Sequence, residues 1–269
     1  MTKKWHRVPG YAFLVLFTLF SLFPLYFMVV SATNTSKDVL SSRLLPGGNM
    51  FANFHALTAA QDLWTAMGYS AINAVGTTVL ALVLCSIAGY GFEIFHSRGK
   101  DILMSVLLLA MMIPFAATMI PLFQMFAKFG MVNSVWAVIL PAIATPFLIL
   151  LFRQASRNFP HEIIEAARID GLGEVRIFAS IYVPTMRSTY AAAAVITFMT
   201  AWNNFMWPKV ILVSNAFQTM PMLISNLSAG YVTDYGVLML AVLLASLPAM
   251  VVFLLLQSSF AEGMTGAIK

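Results

Sequence analysis

The chain has 269 residues, of which 60% are hydrophobic and only 9% charged, with a formal net charge of +5. Soluble domains carry roughly a quarter charged residues, so this chain lacks the polar surface to cover itself in water and its bulk belongs in lipid. The single cysteine, Cys85, excludes an intrachain disulfide. The positive charge is spread over several connections and forms no dense basic patch, which speaks against nucleic acid as a partner.

Six apolar runs are long enough to span a hydrocarbon layer, which takes about 20 helical residues: about 11–32, 71–92, 102–123, 135–152, 190–213 and 237–256. A lipid-exposed strand leaves its backbone groups unpaired, so each run reads as helix. The runs do not alternate apolar with polar, which excludes a barrel. The expected fold is an all-α membrane protein with six transmembrane helices in one domain, 1–269, and a loop at 153–189 between spans four and five. The first run exceeds the 7–15 residues of a signal core, so it reads as a retained span. Its outer connection, 33–70, holds Pro46-Gly47-Gly48 and room for a short helix near 56–67. Pro24, Pro114, Pro121, Pro141, Pro146, Pro208 and Pro248 punctuate the runs, and each either shapes packing or hinges its helix.

Orientation follows from Lys and Arg in the connections. With the N-terminus inside, eleven of the fifteen lie on that side and only Lys37, Arg43, Lys128 and Lys209 on the other. Both termini and the 153–189 loop are therefore expected in the cytoplasm.

Enzyme signatures are missing. His161-Glu162-Ile163-Ile164-Glu165 opens like a zinc-protease helix, but Glu165 stands where the second histidine is needed. There is no G-x-x-x-x-G-K-[ST], and Arg176 replaces the third glycine after Gly171-Leu172-Gly173. No G-x-S-x-G elbow occurs either. Asp234, beside the sixth run, has no carboxylate partner near it in sequence. The chain reads as no enzyme by itself, with no cofactor or metal of its own.

One stretch departs from the apolar pattern: EAARIDGLGEVRIFASIYVP, residues 165–184, with three acids and two arginines. Pro160 suits a helix start, Asn158 is an available cap, and Gly171 can turn the chain out of the helix. Ile163, Ala166, Ala167 and Asp170 share a face by spacing. A second helix is expected over about 173–183, with Val175, Phe178, Ala179 and Tyr182 in one stripe. The first helix, about 15 Å long at ~1.5 Å per residue, is too short and charged to span. Interfacial helices favour basic residues and bulky apolar faces, whereas this one offers acids and alanines. A protein groove is the better partner, with Glu165 available to accept hydrogen bonds at its rim.

Glu165-Ala166-Ala167, Asp170-Gly171, then Ile181 and Pro184 after nine residues, resemble the E-A-A-x-x-D-G…I-x-x-P hallmark of permease subunits of binding-protein-dependent ABC importers. Trp202-Asn203-Asn204-Phe205-Met206-Trp207-Pro208 and the ending Glu262-Gly263-Met264-Thr265-Gly266-Ala267-Ile268-Lys269 are similar to carbohydrate importers of the kind that includes the smaller maltose permease subunit. Leu172 stands where alanine is usual, and Tyr69-Ser70 where Asn-Ser is. The resemblance implies a coupling helix, carried by Ile163, Ile164, Glu165, Ala166, Ala167, Asp170 and Gly171, docked in a separate ATPase subunit. It implies a tail, through Glu262, Gly263, Thr265 and Gly266, reaching the ATPase interface. The implied partners are a second, related but distinct permease chain, two ATPases that hold ATP and Mg, and an extracytoplasmic sugar-binding protein.

Polar groups within spans are costly and often functional, which makes Asn73, Gln124, Trp202, Asn203 and Asn204 candidates for a solute path. Against that, an Asn within a span can simply bond a neighbouring helix. A sugar is the expected solute, with glycerol phosphate or a polyol as the alternatives within this reading. An ion-coupled secondary transporter is the competing reading of the whole chain, and it requires ionisable groups deep within spans.

Overall fold

The computed structural model describes residues 8–214, 216–230 and 232–266, and every regular element among them is helical. In chain order these are α1 (Val8–Ala32), α2 (Ser36–Leu40), α3 (Met50–Ala60), α4 (Leu63–Ile94), α5 (Arg98–Ala110), α6 (Phe115–Lys128) and α7 (Val135–Ile139), which runs into a 3₁₀ turn at Leu140–Ala142. Then come α8 (Pro146–Arg157), α9 (His161–Ile169), α10 (Glu174–Ile177), a π-helical turn at Phe178–Tyr182, α11 (Val183–Thr185) and α12 (Arg187–Trp202). The chain finishes through α13 (Met206–Ile211), α14 (Met220–Ser228) and α15 (Tyr235–Gly266). Among the described residues α1, α4 and α15 contain stretches long and apolar enough to cross a membrane. Two bent pairs meet that test jointly, α5 with α6 at 100° and α7 with α8 at 44°, so the count is three spans, or up to five if each pair is one.

Prolines set the breaks. A proline removes its own donor and clashes with the carbonyl four residues back. For Pro114 and Pro146 those carbonyls belong to Ala110 and Ala142, and α5 and the 3₁₀ turn end on those two residues. Pro114 and Thr145 are themselves extended, with φ/ψ of −60/133° and −91/129°. Pro208 bars a helix through Asn204, and the run expected as a fifth span breaks between Trp202 and Met206. The run at 102–123 is accordingly two helices, not one straight rod. Pro24, Pro121 and Pro248 stay inside α1, α6 and α15. The short helix expected near 56–67 lies earlier, as α3.

The helices fall into two compact units. One contains the residues up to Trp64 together with 222–247. In it Asp234 caps α15: its Oδ1 accepts from the Gly236 and Val237 N–H groups at 3.0 and 3.3 Å, and from Ser36 Oγ at 2.8 Å. Ser36 Oγ in turn accepts from the Tyr235 N–H at 2.7 Å. The buried Asn53 amide donates to the carbonyls of Ala32 and Asn34 at 2.9 and 3.0 Å, closing the end of α1 onto α3.

The other unit contains 65–221 and the chain from Pro248 onward. Its core joins α4, α5, α8 and α12 through Ala81, Cys85, Met104, Leu148, Ile149, Phe152 and Ala193. Cys85 is a free, fully buried packing residue there. Arg153 of α8 donates to Glu93 of α4 at 3.2 Å and to Asp101 of α5 at 2.5 Å, and Asp101 also meets His96 at 2.9 Å. Trp207 is 1% exposed, its indole N–H donating to the Ala137 carbonyl at 2.8 Å, so this ring is a packing anchor.

Candidate functional site

The charged stretch forms one motif built on α9. Pro160 is extended (φ/ψ −63/107°) and starts the helix without a side-chain cap, while Asn158 belongs to the end of α8 and caps nothing at α9. At the other end Gly171 has φ +80°, its N–H donates to the Arg168 carbonyl, and the Leu172 N–H donates to the Ala167 carbonyl, both at 3.0 Å. These two bonds define a Schellman cap, which includes an apolar contact between the residue after the glycine and one in the last turn. Leu172 packs on the cluster that holds Ala167 beneath the loop.

Two side chains seat α9: Ile164, 1% exposed, and Ala167, 6% exposed, pack with Tyr90, Phe159, Ile177 and Tyr182. Glu162, Ile163, Glu165, Ala166, Ile169 and Asp170 are exposed. Ala167 therefore serves its own chain's packing, and of the alanine pair only Ala166 is open. The second helix also departs from the expected stripe. Its π turn bonds i to i+5 and brings Ile177 and Tyr182, five apart, into the cluster, leaving Val175 and Ala179 exposed.

Polar ties complete the motif. Arg168 donates to Glu174 at 2.7 Å, and the Tyr90 hydroxyl makes a long contact to the other Glu174 oxygen at 3.5 Å. That carboxylate raises the Arg168 guanidinium further above its ordinary range. Arg168 and Lys100 both approach the Phe95 ring, 5.9 and 5.5 Å from its centroid, within cation–π distance. Tyr182 and Ser156, both fully buried, hold their hydroxyls 2.6 Å apart. Burial pushes the Tyr182 phenol up to about 12, with the Ser156 hydrogen bond pulling the other way, so it stays a protonated donor near neutrality. None of these ties was foreseen in the sequence.

Since a Cβ at Gly171 meets nothing within 4 Å, only its left-handed backbone is demanding. Gly171→Val should lower loop stability by about 1–2 kcal/mol and Gly171→Asn by less, read as protease sensitivity of the 160–185 segment. Equal sensitivity of both variants would remove the case for the cap.

A cavity of about 300 Å³ lies among α4, α8 and α12, lined by Asn73, Thr77, Thr145, Thr197, Thr200 and Asn204 with apolar neighbours such as Phe147 and Met111. Asn73 donates to the Ala201 carbonyl at 3.1 Å and accepts from Thr77 at 3.4 Å. Thr197 and Thr200 donate to carbonyls four residues back at 2.7 and 2.8 Å. The Asn204 side chain lines the cavity and makes no hydrogen bond among the described residues. Of the five candidates only Asn73 and Asn204 meet here. Gln124 is exposed on α6; Asn203 is exposed and bonds Met199; Trp202 is buried against Phe198. The threonines were missed, although Thr197, Thr200 and Asn204 recur at i, i+3, i+7 and so carried a helical signal.

Glu262, Gly263, Thr265 and Gly266 continue the α15 backbone, but their side chains, and all of 267–269, lie outside the described residues.

Apolar helices that carry a short exposed helix and border a part-polar cavity suit a membrane permease component. The chain belongs to the family of binding-protein-dependent transport system inner membrane components, matched over residues 87–266. It is 42% identical, over the full length of both chains, to the lactose transport system permease protein LacG of Rhizobium radiobacter. It is 33% identical to the arabinooligosaccharides transport system permease protein AraQ of Halalkalibacterium halodurans, covering 99% of this chain and 96% of the relative. Its fold is similar to a chain of a bacterial ABC transporter involved in import of the acidic polysaccharide alginate, with a TM-score of 0.82, 20% identity, and 97% and 99% of the two chains covered. The family membership disfavours the ion-coupled reading.

Proposed function

We propose that this chain is one of two permease subunits of an ATP-driven importer of neutral oligosaccharides. In this reading α9 docks in the cleft of a separate ATPase, the 153–189 loop and both termini face the cytoplasm, and the tail reaches the ATPase interface. ATP and Mg reside on those partners, a binding protein delivers solute from the opposite side, and the α4–α8–α12 cavity is this chain's share of the path. One observation carries the reading: α9 turns Glu162, Ile163, Glu165, Ala166, Ile169 and Asp170 outward while two buried side chains and a Schellman cap fix it from beneath.

The solute class rests on the cavity lining, which holds amides, hydroxyls and apolar groups but no ionisable side chain. Taking a phosphate out of water without a cation costs several kcal/mol, whereas sugar hydroxyls find partners in Asn204 and the threonines. The names of the lactose and arabinooligosaccharide relatives point the same way. In proteoliposomes holding the whole transporter, labelled lactose or arabinose oligosaccharides should accumulate only with internal ATP. Uptake should survive a proton uncoupler and a tenfold excess of glycerol 3-phosphate, the excess being about 1.4 kcal/mol of competitive advantage. Accumulation driven by a proton gradient, or displaced by the phosphate ester, would overturn the proposal.

A further inference from the structure

A coupling helix is useful only if the spans follow it, and two buried side chains are a slender attachment. The Tyr182–Ser156 contact supplies a second one, and its polarity can be worked out. Ser156 Oγ lies 2.8 Å from the Phe152 carbonyl, which can only accept, so the single serine proton points there. At 2.6 Å from the same oxygen, Tyr182 must then be the donor. The resulting relay runs from the phenol through the serine into the α8 backbone. The ring of Tyr182 also packs on Tyr90 of α4 at 4.9 Å and on Phe159, between α8 and α9, at 5.6 Å. The π turn matters because its extra residue per turn rotates Tyr182 inward, where an α-helical course would have aimed it elsewhere.

We infer that Tyr182 is a positioning residue that makes α8 move as one body with the coupling loop, its hydroxyl acting through Ser156. The inference rests on the reading of α9 as an ATPase dock.

Tyr182→Phe isolates the hydroxyl. The ring keeps its packing, and Ser156 still donates to Phe152, so no buried donor is orphaned and the complex should purify with its ATPases. The test places spin labels at two exposed sites away from the docking face, Gln154 on α8 and Val175 on α10, in the assembled transporter, and measures their separation without nucleotide and with ATP and vanadate. The unsubstituted pair should give one narrow distance, unchanged by nucleotide. Tyr182→Phe should shift and broaden it in the nucleotide state only. Ser156→Ala leaves the buried Tyr182 donor without a partner and should disturb the distance at least as much, and the double variant should return to the Tyr182→Phe pattern, because both changes remove one interaction. If Tyr182→Phe gives the unsubstituted distances in both states, or broadens them equally without nucleotide, the positioning role is overturned. A separate arm keeps the dock distinct: a cross-linker at Ala166→Cys should reach an ATPase, and its failure would sink the docking reading whatever the labels report.

Discussion

Glu165→Lys is expected to abolish import while leaving the permease folded. Glu165 is exposed and makes no hydrogen bond among the described residues, and only its charge is felt, by Arg168. The chain itself therefore loses little, and any large effect must come from a partner. If Glu165 accepts hydrogen bonds at a groove rim, truncating one member of such a charged pair costs about 2–5 kcal/mol, and a lysine adds repulsion. Each 1.4 kcal/mol is tenfold in affinity, so docking should weaken by roughly 30-fold or more. Force transmission magnifies the loss, because driving a two-state equilibrium from 1:99 to 99:1 takes about 5.5 kcal/mol of differential binding. A peg that lets go below that load moves nothing. The expected readout is ATPase lost during purification and uptake near background, with unchanged yield of the permease. Normal co-purification and uptake would show that α9 docks nowhere through this residue.

The apolar runs and the coupling motif were legible because both are written in local sequence. Twenty apolar residues admit few solutions in lipid, and Glu165-Ala166-Ala167 with Asp170-Gly171 sits within one helix and its cap. Helix ends at Ala110 and Ala142 were legible in principle, since Pro114 and Pro146 each forbid the carbonyl four back. The same rule does not say which prolines break a helix, and Pro24, Pro121 and Pro248 break none. The inward turn of Ala167 depends on Tyr90 and Tyr182, which lie 77 residues before and 15 after it. No local pattern encodes that pairing. The π turn likewise has no signature in FASIY, so the expected stripe through Val175 and Ala179 had the wrong period. The cavity drew Asn73 and Asn204 together from 131 positions apart, a separation that periodicity cannot see.

The bundle around this machinery should fail at one glycine. A Cβ at Gly89 would sit 2.5 Å from Phe152 Cβ, 2.7 Å from the Arg153 N and 2.9 Å from the Phe152 C, all atoms that no rotamer can move. α4 therefore crosses α8 in backbone contact, the close approach that small residues permit between membrane helices. Gly89→Leu must drive the two apart. Overpacking alone costs about 1–3 kcal/mol. Separation also pulls Arg153 from Glu93, and losing a hydrogen bond between charged groups costs about 1.5–3 kcal/mol more. Together these approach the lower end of the 5–15 kcal/mol by which a typical protein stays folded. The complex should not accumulate, read as loss of the assembled peak in size exclusion. Gly91, on the same helix, meets nothing within 4 Å of an added Cβ, so Gly91→Leu should assemble normally. Equal recovery of the two variants would mean that α4 and α8 do not cross this closely, and the path from the coupling loop into the spans would have to run through other contacts.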